Sequence, residues 1–128
     1  EAVLAELRPG LVLVYGDTNS TLAGALAAAQ AGIPVGHVES GMRSFDRSMP
    51  EELNRVLADH ASDLLLCSSQ AAVRNLRNEG VAGTVELVGD VMVDVAATVQ
   101  PTARARTDLV SARGVAPGQY VRTTIAHR

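Results

Sequence analysis

Four short apolar runs leave this chain little choice of fold: LVLVY (residues 11–15), IPVGHV (33–38), DLLLCS (63–68) and VELVG (85–89). Each is apolar at successive rather than alternate positions, the pattern of a strand buried on both faces of a parallel sheet. Between them, residues 20–31, 51–61 and 69–79 carry helical spacing, and 91–99 predict one helix more. Ser20 or Thr18 is placed to cap the first helix. Ser48, followed by Pro50, Glu51 and Glu52, opens the second, and Ser69 opens the third. Gly32 and Gly80 fall where helices stop. Strand–helix alternation with short connections predicts an α/β fold on a doubly wound parallel sheet.

The 128 residues suffice for one domain with a real core. The chain opens inside the helical pattern EAVLAELRPG without an initiating Met. The stretch 101–119, PTARARTDLVSARGVAPGQ, is richer in Pro, Gly and Arg and reads as a linker. YVRTTIA (120–126) then restarts a strand, so the sequence is expected to be a piece of something longer.

A composition 47% hydrophobic and 20% charged is that of a globular, soluble chain rather than a disordered one. A net charge of −3 argues against a nucleic-acid surface, and no run approaches the ~18–20 apolar residues of a membrane span. All eleven basic residues are arginine, which fits a GC-rich genome and bidentate phosphate contacts alike. The single cysteine, Cys67, excludes an internal disulfide and agrees with a reducing cytosol; no signal peptide is visible. There is no G-x-G-x-x-G after a strand, no Walker-type loop and no His/Cys spacing suited to a metal. No cofactor and no metal are therefore expected.

In a parallel α/β sheet, ligands gather outside the carboxyl ends of the strands. Gly16-Asp17-Thr18 follows the first strand, His37-Val38-Glu39 ends the second, Gly89-Asp90 follows the fourth, and His127-Arg128 follows the last. The loop after the second strand brings Glu51 near. Plainer roles compete at several positions. Asp17 is also suited to cap a helix, and Glu51 and Glu52 suit a first helical turn through the macrodipole alone. His37 reads as a hydrogen-bonded core histidine, His60 as a partly exposed bystander and Cys67 as core packing. Arg43, Arg47 and Arg55 suit phosphate contact or pairing with the local acids.

Taken together, GDTNST (16–21), GHVESGMRSFDRSMPEELNR (36–55), ASDLLLCSSQAAVRNLRNEG (61–80), VGDVMVD (88–94) and TTIAHR (123–128) closely resemble the non-hydrolysing UDP-N-acetylglucosamine 2-epimerase family. The resemblance runs from about residue 10 to the end, apart from the variable 101–119 stretch. It implies a two-domain, glycosyltransferase-B-like fold. Residues 1–100 would be part of the N-terminal Rossmann-like domain, 101–119 a linker, and 120–128 the truncated start of the C-terminal UDP-binding domain. It further implies a cytoplasmic isomerase that interconverts UDP-GlcNAc and UDP-ManNAc and supplies ManNAc for cell-surface polysaccharide. Such an enzyme has a UDP-sugar as its partner, takes no cofactor, engages neither nucleic acid nor membrane, and is a homodimer at full length. By the same resemblance Asp17, Glu39 and Glu51 fall on the family's catalytic carboxylates and His127 on its active-site histidine. Asp17, Glu39 and His127 also match positions that contact the nucleotide sugar. Ser40 stands where alanine is usual and Asp90 where asparagine is usual, which puts the diphosphate contacts of that last loop in question.

The chemistry agrees with these residue types. The C2 hydrogen of a GlcNAc unit has no adjacent carbonyl, so direct deprotonation is very costly. Elimination avoids that: C1–O bond cleavage with oxocarbenium character lets a base take the C2 proton, and UDP adds back after protonation of the opposite face. The route needs carboxylates to move protons and to stabilise charge at C1. Glu39 and Glu51 are placed as two such groups and Asp17 as a third, with no assignment of acid and base among them. Two other readings remain at this stage: a related UDP-diacetamido-uronic acid 2-epimerase, and a non-catalytic nucleotide-sugar-binding fragment. The fragment alone is expected to be inactive.

Overall fold

The computed structural model of the chain describes residues 2–106, 112–116, 118, 119, 121 and 123. His127 lies outside the described residues, as do positions 120, 122 and 124–126 of the strand expected at 120–126. The chain divides into two compact units, Glu1–Val91 and Met92–Arg128.

The first unit runs α1 (Ala2–Leu7), β1 (Val12–Tyr15), α2 (Asn19–Gln30), β2 (Val35–Ser40), α3 (Pro50–His60), β3 (Leu64–Cys67), α4 (Gln70–Glu79) and β4 (Thr84–Leu87). The four strands form one parallel sheet in the order β1-β2-β3-β4. Each new strand is laid beside the last in one direction. Right-handed crossovers then put α2, α3 and α4 on the same face of the sheet. This is one half of the winding expected from the sequence; a doubly wound sheet reverses its strand order to cover the second face.

The side chains report that asymmetry. Val14, Val35, Leu65 and Cys67 face the helices and are buried against Ala25, Ala28, Ala58, Ala72, Val73 and Leu76. Fully buried Leu65 and Leu76 are each worth roughly 1.5–3 kcal/mol of apolar burial. On the other face, Leu13 and Tyr15 are 46% and 63% exposed. The strands were expected to be covered on both faces. Among the described residues β1 is covered on one, because all three crossover helices pack there.

Helix ends follow local chemistry. Thr18, not Ser20 or Asp17, caps α2, its hydroxyl accepting from the Thr21 amide. Ser69 caps α4 in the same way, accepting from Ala72. Ser48 does not cap α3. Its hydroxyl turns to Asp46, and Met49 is the capping residue, without a side-chain bond. Pro50 at the first helical turn, followed by two glutamates, starts that helix instead. The final helix, α5 (Val91–Ala105), runs six residues past the predicted 99 and continues through Pro101. Proline there forfeits one backbone bond, and the Ala- and Arg-containing turn after it has the propensity to carry the helix on.

Two glycines at positive φ separate strain from crowding. Gly80 ends α4 at φ +67 with open space where a Cβ would sit. Gly41, just past β2, has φ +79, and a Cβ there would lie 2.5 Å from the Ala72 carbonyl oxygen on α4. Gly80→Ala is expected to cost only the left-handed penalty, about 1–2 kcal/mol. Gly41→Ala adds a backbone clash and is expected to cost about 1–3 kcal/mol more. Chemical denaturation of both variants checks this; equal losses would mean that α4 gives way freely at Ala72.

Candidate active site

The carboxyl ends of β1 and β2 come together through the sheet itself. Tyr15 pairs with Val38, and the Gly16 amide donates to the Val38 carbonyl at 3.2 Å. Asp17 follows in the turn after Gly16, its side chain 39% exposed. The register of β2 against β3 then breaks: Val38 pairs with Leu66 but Ser40 pairs with Cys67. Glu39 is the inserted residue of a β-bulge, at φ +68. Left-handed backbone is unfavourable for glutamate by about 1–2 kcal/mol, and bulges of this kind re-aim side chains beside functional sites.

The bulge has a definite consequence. Val35 and His37 point into the helix-covered face, and strict alternation would send Glu39 after them. Instead Ser40 takes the interior position, fully buried with its hydroxyl 3.7 Å from the Cys67 sulfur. Glu39 is released to a half-buried position at the sheet edge. Burial pushes the Cys67 thiol up, as befits a packing residue.

Helix α3 supplies the third side of the site. Asn54 donates to the Asp17 carbonyl at 2.9 Å and to Asn19 Oδ1 at 3.0 Å. Arg55 Nε donates to Asp17 Oδ2 at 3.0 Å, and its Nη1 to Glu52 Oε2 at 2.9 Å. Glu51 lies three and four residues before this pair, so it shares their side of the helix, one turn nearer the N-terminus. Asp17 and Glu39 thus lie at the carboxyl ends of neighbouring strands, and Arg55 ties α3, whose first turn carries Glu51, to Asp17. Glu51 is exposed and Glu52 is not.

Glu52 does different work. One of its oxygens accepts from the Ser44 amide and hydroxyl, at 2.8 and 3.0 Å, and the other from the Phe45 amide at 3.0 Å. Burial favours its neutral form, yet the bonds from Ser44 and Phe45 and the charge of Arg55 hold its carboxyl below the usual glutamate range. It clamps the loop between β2 and α3.

Beneath the site lies a buried ionic cluster that the sequence reading missed. His37 is fully buried, with Nδ1 2.6 Å from Asp59 Oδ1 and Nε2 2.8 Å from the Gly16 carbonyl. Asp59, also fully buried, accepts from the Gly41 amide at 3.1 Å and from Arg43 Nη1 at 2.7 Å. Arg43, its side chain 1% exposed, makes a two-bond fork with Glu79 at 2.7 and 2.6 Å. Burial opposes the Arg43 charge, but Glu79 and Asp59 outweigh it and raise its pKa. Arg43 and Arg55 are thus paired with local acids. His37 is the core histidine expected, and His60 is 45% exposed on α3, 3.7 Å from Glu79. The signal for Asp59 was present, since Glu52, Arg55 and Asp59 recur at helical spacing opposite Leu53 and Leu57.

Gly89, after β4, donates its amide to the Cys67 carbonyl at 3.3 Å, which brings the fourth strand end to the same edge. Among the described residues no cluster of His, Cys, Asp and Glu is arranged to hold a metal ion. No described helix is long and apolar enough to cross a membrane.

A family profile described as UDP-N-acetylglucosamine 2-epimerase matches residues 1–128. A UDP-N-acetylglucosamine 2-epimerase homolog of Methanococcus maripaludis is 56% identical over 94 residues, 73% of this chain and 26% of the relative. A UDP-2,3-diacetamido-2,3-dideoxy-D-glucuronate 2-epimerase of Pseudomonas aeruginosa is 54% identical over 99 residues, 75% of this chain and 28% of the relative. The chain thus spans about a quarter of the length of these relatives. Among solved structures, the Methanocaldococcus jannaschii UDP-GlcNAc 2-epimerase in complex with UDP-GlcNAc and UDP superposes with a TM-score of 0.80 at 44% identity. That match covers 88% of this chain and 31% of the other.

The Glu52 clamp predicts a pH dependence. A carboxyl depressed in the folded state stabilises fully above its unfolded pKa, and the contribution is lost as pH falls through the folded one. Stability of the wild type is therefore expected to decline below about pH 4.5. Glu52→Gln is expected to be about 1–3 kcal/mol less stable at pH 7, with a shallower acid decline. Urea midpoints between pH 7 and pH 3 check this. Parallel declines in the two proteins would uncouple Glu52 from folding.

Proposed function

The chain belongs to the UDP-N-acetylglucosamine 2-epimerase family, and on that premise we propose that the whole protein inverts C2 of a UDP-linked 2-acetamido sugar, interconverting UDP-GlcNAc and UDP-ManNAc. What supports this reading is that Asp17 and Glu39 lie at the carboxyl ends of the paired strands β1 and β2, Glu39 in a left-handed bulge, and that Arg55 ties α3, the helix of Glu51, to Asp17.

The reaction asks three things of such carboxylates. As the C1–O bond breaks and UDP departs, positive charge at C1 needs a nearby anion. One carboxylate then takes the C2 proton, whose electron pair forms the C1–C2 double bond of a glycal. Another carboxyl returns a proton to the opposite face of C2, and UDP adds back at C1. Asp17 is held by Arg55, which fixes its carboxylate in place for charge stabilisation and sugar contact. Glu39 and Glu51 make no ion pair among the described residues, so each is available to exchange a proton. His127 is proposed as a partner of the departing diphosphate. Residues 1–100 as part of the N-terminal domain, 101–119 as a linker, 120–128 as the start of a UDP-binding domain, a cytoplasmic setting and a homodimer complete the proposal for the whole protein.

A second substrate is favoured by a specific finding. The 54% identity to the diacetamido-glucuronate epimerase nearly equals that to the N-acetylglucosamine 2-epimerase homolog, and both reactions invert C2. Assay of the full-length protein with each UDP-sugar distinguishes them.

In D₂O the product is expected to carry deuterium at C2, with free UDP and a glycal appearing at long times. Asp17→Asn, Glu39→Gln and Glu51→Gln are each expected to lose about 10²-fold or more in kcat. Glu51→Gln should do so with little change in Tm, because its exposed carboxylate makes no hydrogen bond or ion pair among the described residues. Retention of the C2 hydrogen, or near-wild-type turnover in all three variants, would overturn the reading.

A further inference from the structure

Glu39 occupies an unfavourable backbone conformation, and something must hold it there. The groups that flank it converge on one buried carboxylate. Two residues before Glu39, His37 Nδ1 lies 2.6 Å from Asp59 Oδ1; two residues after it, the Gly41 amide donates to Asp59 Oδ2 at 3.1 Å. His37 then continues through Nε2 to the Gly16 carbonyl, the residue before Asp17. Asn75 on α4 donates to the Gly41 carbonyl at 2.9 Å, so the far side of the bulge is fixed from a second helix.

We infer that Asp59 is a positioning residue of the active site: from beneath the sheet edge it holds the His37 ring on one side of Glu39 and the Gly41 amide on the other and, through His37, ties that bulge to the loop carrying Asp17. Asp59 is fully buried. Its two oxygens serve two separate constraints, Oδ1 toward His37 and Oδ2 toward Gly41 and Arg43, and a side chain that lacks both oxygens holds neither. His37 bridges Asp59 and the Gly16 carbonyl through its two ring nitrogens and so conveys the constraint from one loop to the other. Arg43, braced by Glu79, pairs with the other oxygen of Asp59.

The kinetic consequence rests on the epimerase reading; the structural consequence does not, and the two are measured separately in the full-length protein. For structure, Glu39→Gly relieves left-handed strain and is expected to raise the unfolding midpoint in the wild type. In Asp59→Ala, where the bulge is no longer clasped, that gain is expected to vanish, a coupling read as a double-mutant cycle. His37→Gln serves as a second background should Asp59→Ala not fold, because its amide reaches one of the two acceptors and not both. For kinetics, either single variant is expected to lower kcat by about 10²-fold, with KM for UDP-GlcNAc changed by less than about threefold. Leu76→Val, a core change outside the cluster, sets the effect of lost stability alone. An equal Glu39→Gly gain in all backgrounds, or a kcat no lower than that of Leu76→Val, overturns the inference. If the wild type epimerises neither UDP-sugar, the proposed function fails, and the stability cycle still decides the role of Asp59.

Discussion

A carboxylate with no access to solvent organises this half-sheet. Taking Asp59 out of water costs several kcal/mol unless every lone pair finds a partner. Here the cost is offset by a histidine, an arginine and a backbone amide, all within 3.1 Å. Arg43 is buried too and needs its own second anion, which Glu79 supplies from α4. The result is a closed chain of charges from the end of α4 through α3 to the carboxyl ends of β2 and β1. No member can be removed without leaving another uncompensated. Such a cluster adds little net stability compared with an apolar core of equal volume. What it fixes is position.

The same logic explains a helix that looks inside out. In α3 the buried positions include Glu52, Asn54 and Asp59, while Leu53 and Leu57 are 48% and 41% exposed. A helix chosen for packing alone would reverse this. Each buried polar group of α3 instead performs a distinct mechanical task at the strand ends. Glu52 clamps the Ser44–Phe45 turn, Asn54 holds the Asp17 backbone, and Asp59 holds Gly41 and His37. Adjacent glutamates of like chemistry are thereby divided. Glu52 is spent on structure, and Glu51, one residue earlier, remains open to solvent.

Much of this was legible in the residues. The apolar runs located all four strands, because a parallel strand between neighbours has few polar options. Thr18, Ser69 and Gly80 marked helix ends, since capping chemistry is local. His37 and Cys67 read as interior because they sit within apolar strands. Less visible was anything set by register. Nothing in HVESG announces that Glu39, as well as Gly41, takes a left-handed conformation; that depends on Ser40 finding Cys67 on β3. Arg43 looked as suited to phosphate as to a carboxylate, and only the approach of α4 brought Glu79 to it. Helix α5 outran its predicted end because proline costs a helix one bond without forbidding the next turn.

The bulge joins the interior to the chemistry. A strand offers alternate positions to alternate faces, so a catalytic carboxylate two residues after an interior histidine faces inward by default. There it would add a further negative charge beside Asp59, without a partner. Inserting one residue resolves the conflict: Ser40, small and able to meet a sulfur, fills the inward place, and Glu39 turns to the edge. The remaining cost is the positive φ, of the order of 1–2 kcal/mol. Asp59 anchors the two flanking residues through bonds that only this backbone path satisfies. Strain at Glu39 and burial of Asp59 are therefore one feature seen from two sides, and neither is sensible without the other.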